Sequence, residues 1–164
     1  MNLCMDSLVI EVKQLEIAVG SDHAGVQLKQ DIIAILVGEG YDPIDCGTYT
    51  EDSVDYPDVA EKVAAEVLQK NILGILVCGT GIGISIAANK IPGIRAALCN
   101  DPFAARLARE HNDANIVAIG ARITGCGLAE EIVKTFIKTN FAAGRHQRRV
   151  EKITALENKC RERV

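Results

Sequence analysis

Residues 72–83 read ILGILVCGTGIG, an apolar and largely branched run that stops at a cysteine and breaks into alternating glycines. A run this short, bounded by turn residues, predicts a strand covered on both faces over Ile72–Cys78. Gly79, Gly81 and Gly83 then predict a tight turn into a short helix through Ala88. The same alternation continues outward in both directions. Upstream, Glu16–Gly20 reads as a strand, and Leu28, Ile32, Ile35 and Leu36 mark one face of a helix ending near Gly38 or Gly40. Tyr41–Asp45 is a second strand, placed at a sheet edge by Pro43. Cys46–Tyr56 is polar loop, and Pro57 opens a helix carrying Val59, Val63 and Val67. Downstream come a strand at Ile94–Leu98, a helix at Pro102–Glu110, a strand at Ile116–Ile119 and a helix marked by Leu128, Ile132, Phe136 and Ile137. Val150, Ile153, Leu156 and Cys160 mark the last helix.

Strands separated by helices require crossover connections, which make neighbouring strands parallel and cover the sheet on both sides. The expected architecture is α/β, a single doubly wound five-stranded parallel sheet in a three-layer α/β/α sandwich. One domain is expected over residues 15–164, preceded by an extension, residues 1–14, with no assigned role. In such sheets ligands bind beyond the carboxyl ends of the strands. The loops to inspect are therefore Ser21-Asp22-His23, Cys78 with its glycines, Asn100-Asp101 and Gly120-Ala121-Arg122.

Composition narrows the function classes. The 164 residues are 48% hydrophobic with a net charge of -4, too apolar and too weakly charged for a disordered chain. No run approaches the ~20 apolar residues of a membrane-spanning helix. Met1–Gln14 does not have the pattern of a secretory signal, so a cytoplasmic protein is expected. The six cysteines, at 4, 46, 78, 99, 126 and 160, form no CxxC pair and no Cys/His ligand cluster. Free thiols are expected, with neither metal nor organic cofactor. Residues 1–140 carry 11 basic and 19 acidic side chains, whereas residues 141–164 carry 7 and 3. Such a basic tail suits either a solvated helix or an anion-binding arm.

The chemistry centres on Cys78. A thiol at a strand end, followed by glycines that expose backbone N–H groups at a helix start, makes an anion or oxyanion site, and the field there favours a thiolate. The alternative is a plain tight turn with an inert, buried Cys78. Dinucleotide binding is weakened because the third glycine of G-x-G-x-x-G would fall at Ile84. Asp22 and His23 follow the first strand, where the histidine suits anion binding, proton transfer or simple helix capping. His111 and Asn112 close the fourth helix, where capping is the plainer reading. Arg145 and Arg149, four apart on a helix, point the same way and suit a phosphate. Few aromatics interleave with these charges, which disfavours single-stranded nucleic acid.

Assembled in order, GSDHAG (20–25), DYPD (55–58), CGTGIGISIAANK (78–90), GIRAAL (93–98), REHNDAN (109–115), GAR (120–122) and GRHQRRVE (144–151) resemble the type B ribose-5-phosphate isomerases. That family is shared with the galactose-6-phosphate isomerase subunits, and the resemblance runs from about Ile17 to about Leu156. It implies interconversion of ribose 5-phosphate and ribulose 5-phosphate through a cis-enediol(ate), without a cofactor. Cys78 would be the base, Thr80 would assist proton movement between the oxygens, and Gly79, Gly81 and Gly83 would hold the enediolate. His111 would open the sugar ring, and Asp22 and Asn112 would bind hydroxyls. His23, Arg122, Arg145 and Arg149 would surround the phosphate, with Tyr56 near the site. The resemblance also implies a homodimer with shared active sites, open to further association as a tetramer, and no nucleic-acid or membrane partner. Rival readings are a hexose 6-phosphate isomerase acting on galactose or allose 6-phosphate, a noncatalytic nucleotide or nucleic-acid module, and a thiol redox sensor. Some relatives use an acidic residue farther along the glycine loop instead of a cysteine. Here Ile84 and Ser85 offer no carboxylate, which favours the thiol.

Overall fold

The computed structural model describes residues 15–161. The extension 1–14 lies outside them. The elements alternate as β1 (Glu16–Ser21), α1 (Val26–Gly38), β2 (Asp42–Asp45), α2 (Tyr56–Lys70), β3 (Leu73–Cys78), α3 (Ile82–Ala88), β4 (Ala96–Leu98), α4 (Pro102–Asn112), β5 (Ile116–Gly120), α5 (Cys126–Lys138) and α6 (Gln147–Arg161). Short 3₁₀ turns stand at His23–Gly25 and Gly144–His146. The sheet order is β2-β1-β3-β5-β4, and every neighbouring pair is parallel. β2 is an edge strand, as Pro43 required. The order reverses between β1 and β3, the switch point at which doubly wound sheets open a crevice.

Period-two alternation sorts each strand between two cores. Ile17, Val19, Ile75, Val77, Val117 and Ile119 face one way and pack with Leu28, Ile32 and Leu36 of α1, Ala105 of α4 and Ile132 and Phe136 of α5. Ala18, Leu76, Cys78, Ile116 and Ala118 face the other way and meet Val59, Val63 and Val67 of α2 and Ile84 of α3. Three layers result, and Cys78 points to the α2–α3 side.

Two helices differ from their sequence reading. Leu128 is exposed, and the buried stripe of α5 is Ala129, Ile132, Val133 and Phe136. On α6, Val150 is buried, but Ile153 and Leu156 are exposed at 38% and 60%, so its apolar face is uncovered within one chain. β4 starts at Ala96 because Arg95 spends its backbone N–H on the Asn115 side chain instead of on the sheet ladder.

α2 lies close to the sheet because two strand positions lack a Cβ. At Gly20 a Cβ would stand 2.6 Å from Val63 Cγ2, and at Gly74 it would stand 2.7 Å from Val67 Cγ2 and 3.0 Å from Val63 Cγ1. Valine is stiff at χ1, so these methyl groups cannot swing aside. Gly74→Ala should therefore destabilise the fold by about 1–3 kcal/mol, as overpacking does. Urea unfolding checks this, with a lowered midpoint at unchanged slope as the expected outcome.

Candidate active site

Registers align the carboxyl ends of the three central strands. Ser21 pairs with Val77, and Cys78 pairs with Gly120. Beyond them the chain forms one continuous lip. Asp22 is buried, donates its backbone N–H to Val77 O at 3.1 Å, and accepts the Ala24 N–H on its carboxylate at 2.9 Å. The carboxylate of Asp22, and not His23, therefore caps the 23–25 turn, and the cap fixes Asp22 beside the end of β3. His23 Nδ1 accepts the Val54 N–H at 3.3 Å, which ties the 46–55 loop to the same lip.

The glycine loop lies flat on β5. Gly81 has φ +76°, a left-handed conformation that a side chain would strain. A Cβ there would also stand 2.5 Å from Leu98 Cδ1. Ala121 and Arg122 donate their N–H groups to Cys78 O at 2.8 Å and Gly79 O at 3.0 Å. The Arg122 guanidinium consequently lies over Gly79, where a Cβ would be 3.5 Å from Cζ. Tyr56, first residue of α2, covers Gly83, where a Cβ would meet Cζ at 2.8 Å and Oη at 3.1 Å. Thr80 is exposed at the tip and accepts the Ile82 N–H on Oγ1 at 3.4 Å. The first N–H groups of a helix lack intrahelical acceptors, so the start of α3 leaves donors facing this lip.

Cys78 is 5% exposed, with its residue in the α2–α3 core. Its Sγ accepts the Gly81 N–H at 3.1 Å, whereas Cys46 Sγ donates to Ile44 O at 3.6 Å. Burial, followed by the nearby Asp101 charge, pushes the Cys99 thiol up to about 11. Burial also raises Cys46. The four described cysteines, Cys46, Cys78, Cys99 and Cys126, are free thiols.

The remaining expected site residues lie elsewhere. α4 returns from the carboxyl end of β4 to the amino end of β5, so His111 and Asn112 stand at the opposite edge of the sheet from Cys78. The five residues of β5 alone separate the two edges by about 13 Å. Capping does not explain His111, because the left-handed cap is Asp113, whose N–H bonds to Ala108 O and Arg109 O. Arg145 and Arg149 do not share one helix either, since Arg145 belongs to the 144–146 turn and Arg149 to the first turn of α6. Both are exposed. A residue overlooked in the sequence joins this group: the His146 ring stacks on His111 with centroids 4.1 Å apart and planes 7° from parallel. Its signal was the spacing of four between His146 and Val150, both buried on the inner side of the terminal segment. Among the described residues no three His, Cys, Asp or Glu side chains gather as a metal-ligand group. None of the described helices is long and apolar enough to cross a membrane.

A doubly wound α/β domain with a thiol under an open glycine loop, an arginine over that loop and a second basic cluster has the parts of an enzyme for small anionic substrates. The ribose/galactose isomerase family matches residues 17–153, and the chain belongs to it. It is 49% identical over 145 residues to ribose-5-phosphate isomerase B of Escherichia coli, covering 88% of this chain and 97% of that protein. The structure of ribose-5-phosphate isomerase B from Clostridium thermocellum superposes with TM-score 0.87 at 53% identity, covering 88% of this chain and 99% of that one. The corresponding enzyme from Thermotoga maritima gives 0.84 at 52% identity, covering 86% and 98%. The chain is thus a sugar-phosphate isomerase by family.

Burial first, and then the charges of His111, Arg145 and Arg149, hold the His146 imidazole below its ordinary 6.5, with Glu110 opposing. An unfolded chain takes up this proton before the folded one. The contribution of His146 is therefore intact above pH 6.5 and lost as pH falls toward the lower folded value. Urea midpoints measured between pH 7.5 and 5.5 should decline less steeply in His146→Phe than in the unaltered protein.

Proposed function

We propose that the protein interconverts ribose 5-phosphate and ribulose 5-phosphate, with Cys78 as the base. One observation carries the reading: the Cys78 sulfur sits as a hydrogen-bond acceptor beneath the lip of the 79–83 loop, where an enediolate would find backbone donors and Arg122. The relatives named above supply the substrate class.

The chemistry divides into two steps. Ring opening breaks the C1–O4 bond; its electron pair and a proton go to O4 while the O1 hydroxyl loses its proton to form the aldehyde. The thiolate then takes the proton from C2, and the electrons pass into a C1–C2 double bond with negative charge on O1. Returning the proton to C1, with the O2 proton moved to O1, yields the ketose. The oxygen-to-oxygen transfer is assigned to Thr80, whose exposure at the loop tip supports that role. Preorganised N–H donors at such an oxyanion contribute about 2.7–4 kcal/mol each. No cofactor enters this scheme.

His111 and Asn112 are assigned to ring opening and hydroxyl binding, and Arg145, Arg149, His23 and Arg122 to the phosphate. Because His111 and Cys78 stand at opposite edges of one sheet, the assignment requires two chains. A second copy would bring its basic cluster over the Cys78 lip. The uncovered Ile153 and Leu156 of α6, beside a groove of about 400 Å³ with Ile94 and Asn112, offer apolar surface for pairing. The four described cysteines, all free thiols, fit the reducing environment of the cytosol.

In deuterated buffer, the enzyme should place label at the carbon next to the carbonyl of ribose 5-phosphate or ribulose 5-phosphate. Label entering only a hexose 6-phosphate would move the assignment to that substrate. Cys78→Ala should fold normally and lose about 10²–10⁴-fold in turnover. Unchanged turnover would remove the thiol from the mechanism. For the shared site, Cys78→Ala and His111→Asn chains mixed and refolded together should recover about a quarter of wild-type activity, since half the dimers then hold one intact site. No recovery would refute assembly across two chains.

A further inference from the structure

The His111–His146 stack is unexplained by capping, by core packing or by the phosphate cluster alone. His146 is 7% exposed, and its Nδ1 is buried without a hydrogen-bond partner. A buried ring nitrogen left unpaired is costly, and a leucine or phenylalanine would fill the same space without that cost. What the imidazole makes is a face and one edge. The face stacks on His111 with centroids 4.1 Å apart, and at the edge Nε2 accepts the Arg145 Nε–H at 3.4 Å. His111 is only half-buried in the last turn of α4, where the Asp113 cap bonds the backbone and leaves the ring plane free. The charged groups around the pair are Arg145 and Arg149 from the turn and α6, and Glu110 from α4.

The geometry points to His146 as a positioning residue: its ring holds the plane of the His111 imidazole so that His111 presents its nitrogen edge to the sugar ring. The inference rests on the ring-opening role proposed for His111. A proton donor misplaced by about 1 Å loses up to 10²-fold, so a support that only aligns the ring is enough to govern the step.

Ribulose 5-phosphate is acyclic, because the oxygen that would close its ring carries the phosphate. Deuterium wash-in at its C1 therefore reports enediolate formation without ring opening, while turnover of ribose 5-phosphate requires both. His146→Ala should lower ribose 5-phosphate turnover at least tenfold and leave wash-in within about twofold. His146→Leu, which fills the volume without a flat face, should do the same and serves if the truncated chain does not fold. His146→Phe restores the face and should return turnover to within about threefold of wild type. Equal losses in both assays, no loss in either, or a Phe variant as impaired as the Leu variant would overturn the positioning role. His111→Asn separates the two ideas. A selective loss there with none at position 146 refutes only this inference, whereas no selective loss at His111 removes the ring-opening reading and this inference with it.

Discussion

The approach of the 79–81 backbone to the end of β5 is the constraint on which the site depends. A Cβ at Gly120 would stand 2.7 Å from both the carbonyl carbon and oxygen of Thr80, so the two backbone segments touch where any side chain would separate them. That contact does three things at once. It turns the chain sharply after β3 and brings the Gly81 N–H onto the Cys78 sulfur. It also lets Ala121 and Arg122 bond back to the loop, which lays the guanidinium across it. Donors held this way need no reorganisation when charge develops. Glycine at 120 is thus part of the site although it touches no substrate.

The second organising fact is the separation of charges by sheet edge. Candidate anion-binding groups occupy both ends of the strands, Arg122 and His23 at one and Arg145, Arg149 and the histidine pair at the other. The basic segment 141–164 contributes Arg145 and Arg149 to the second of these clusters.

Much of this was legible before the structure. The strand at Ile72–Cys78 and its glycine turn could be read because a buried strand needs a continuous apolar run and a left-handed turn needs glycine. The edge position of β2 followed from Pro43. Neighbour relations were harder to read. Nothing local says that β5 lies beside β3, and hence that Gly120 meets Thr80. Leu128 misled because apolar spacing on a helix says which residues share a face, and alanine shifted the buried stripe by one position. His111 and His146 meet only through tertiary contact, so the sequence offered a cap for His111 and nothing for His146.

Lys29 shows the same limit and adds one more link to the site. It is 1% exposed, and its ammonium donates to both carboxylate oxygens of Asp45 at 2.5 and 2.7 Å. Burying a charge is costly unless the pairing is close and further hydrogen bonds complete it. Asp45 also accepts the Gly47 N–H at 2.9 Å, and Lys29 lies 4.6 Å from the centre of the Tyr49 ring, whose hydroxyl donates to Asp45 O. Gly47 and Thr48 in turn exchange backbone bonds with Ser21, one residue before Asp22. The buried ion pair therefore clamps the start of the 46–55 loop to β1, and His23 holds its far end through Val54. A loop tied at both ends delivers Tyr56 to Gly83 in one place, which is why a charged pair between α1 and β2 belongs with the architecture of this lip and not with surface electrostatics.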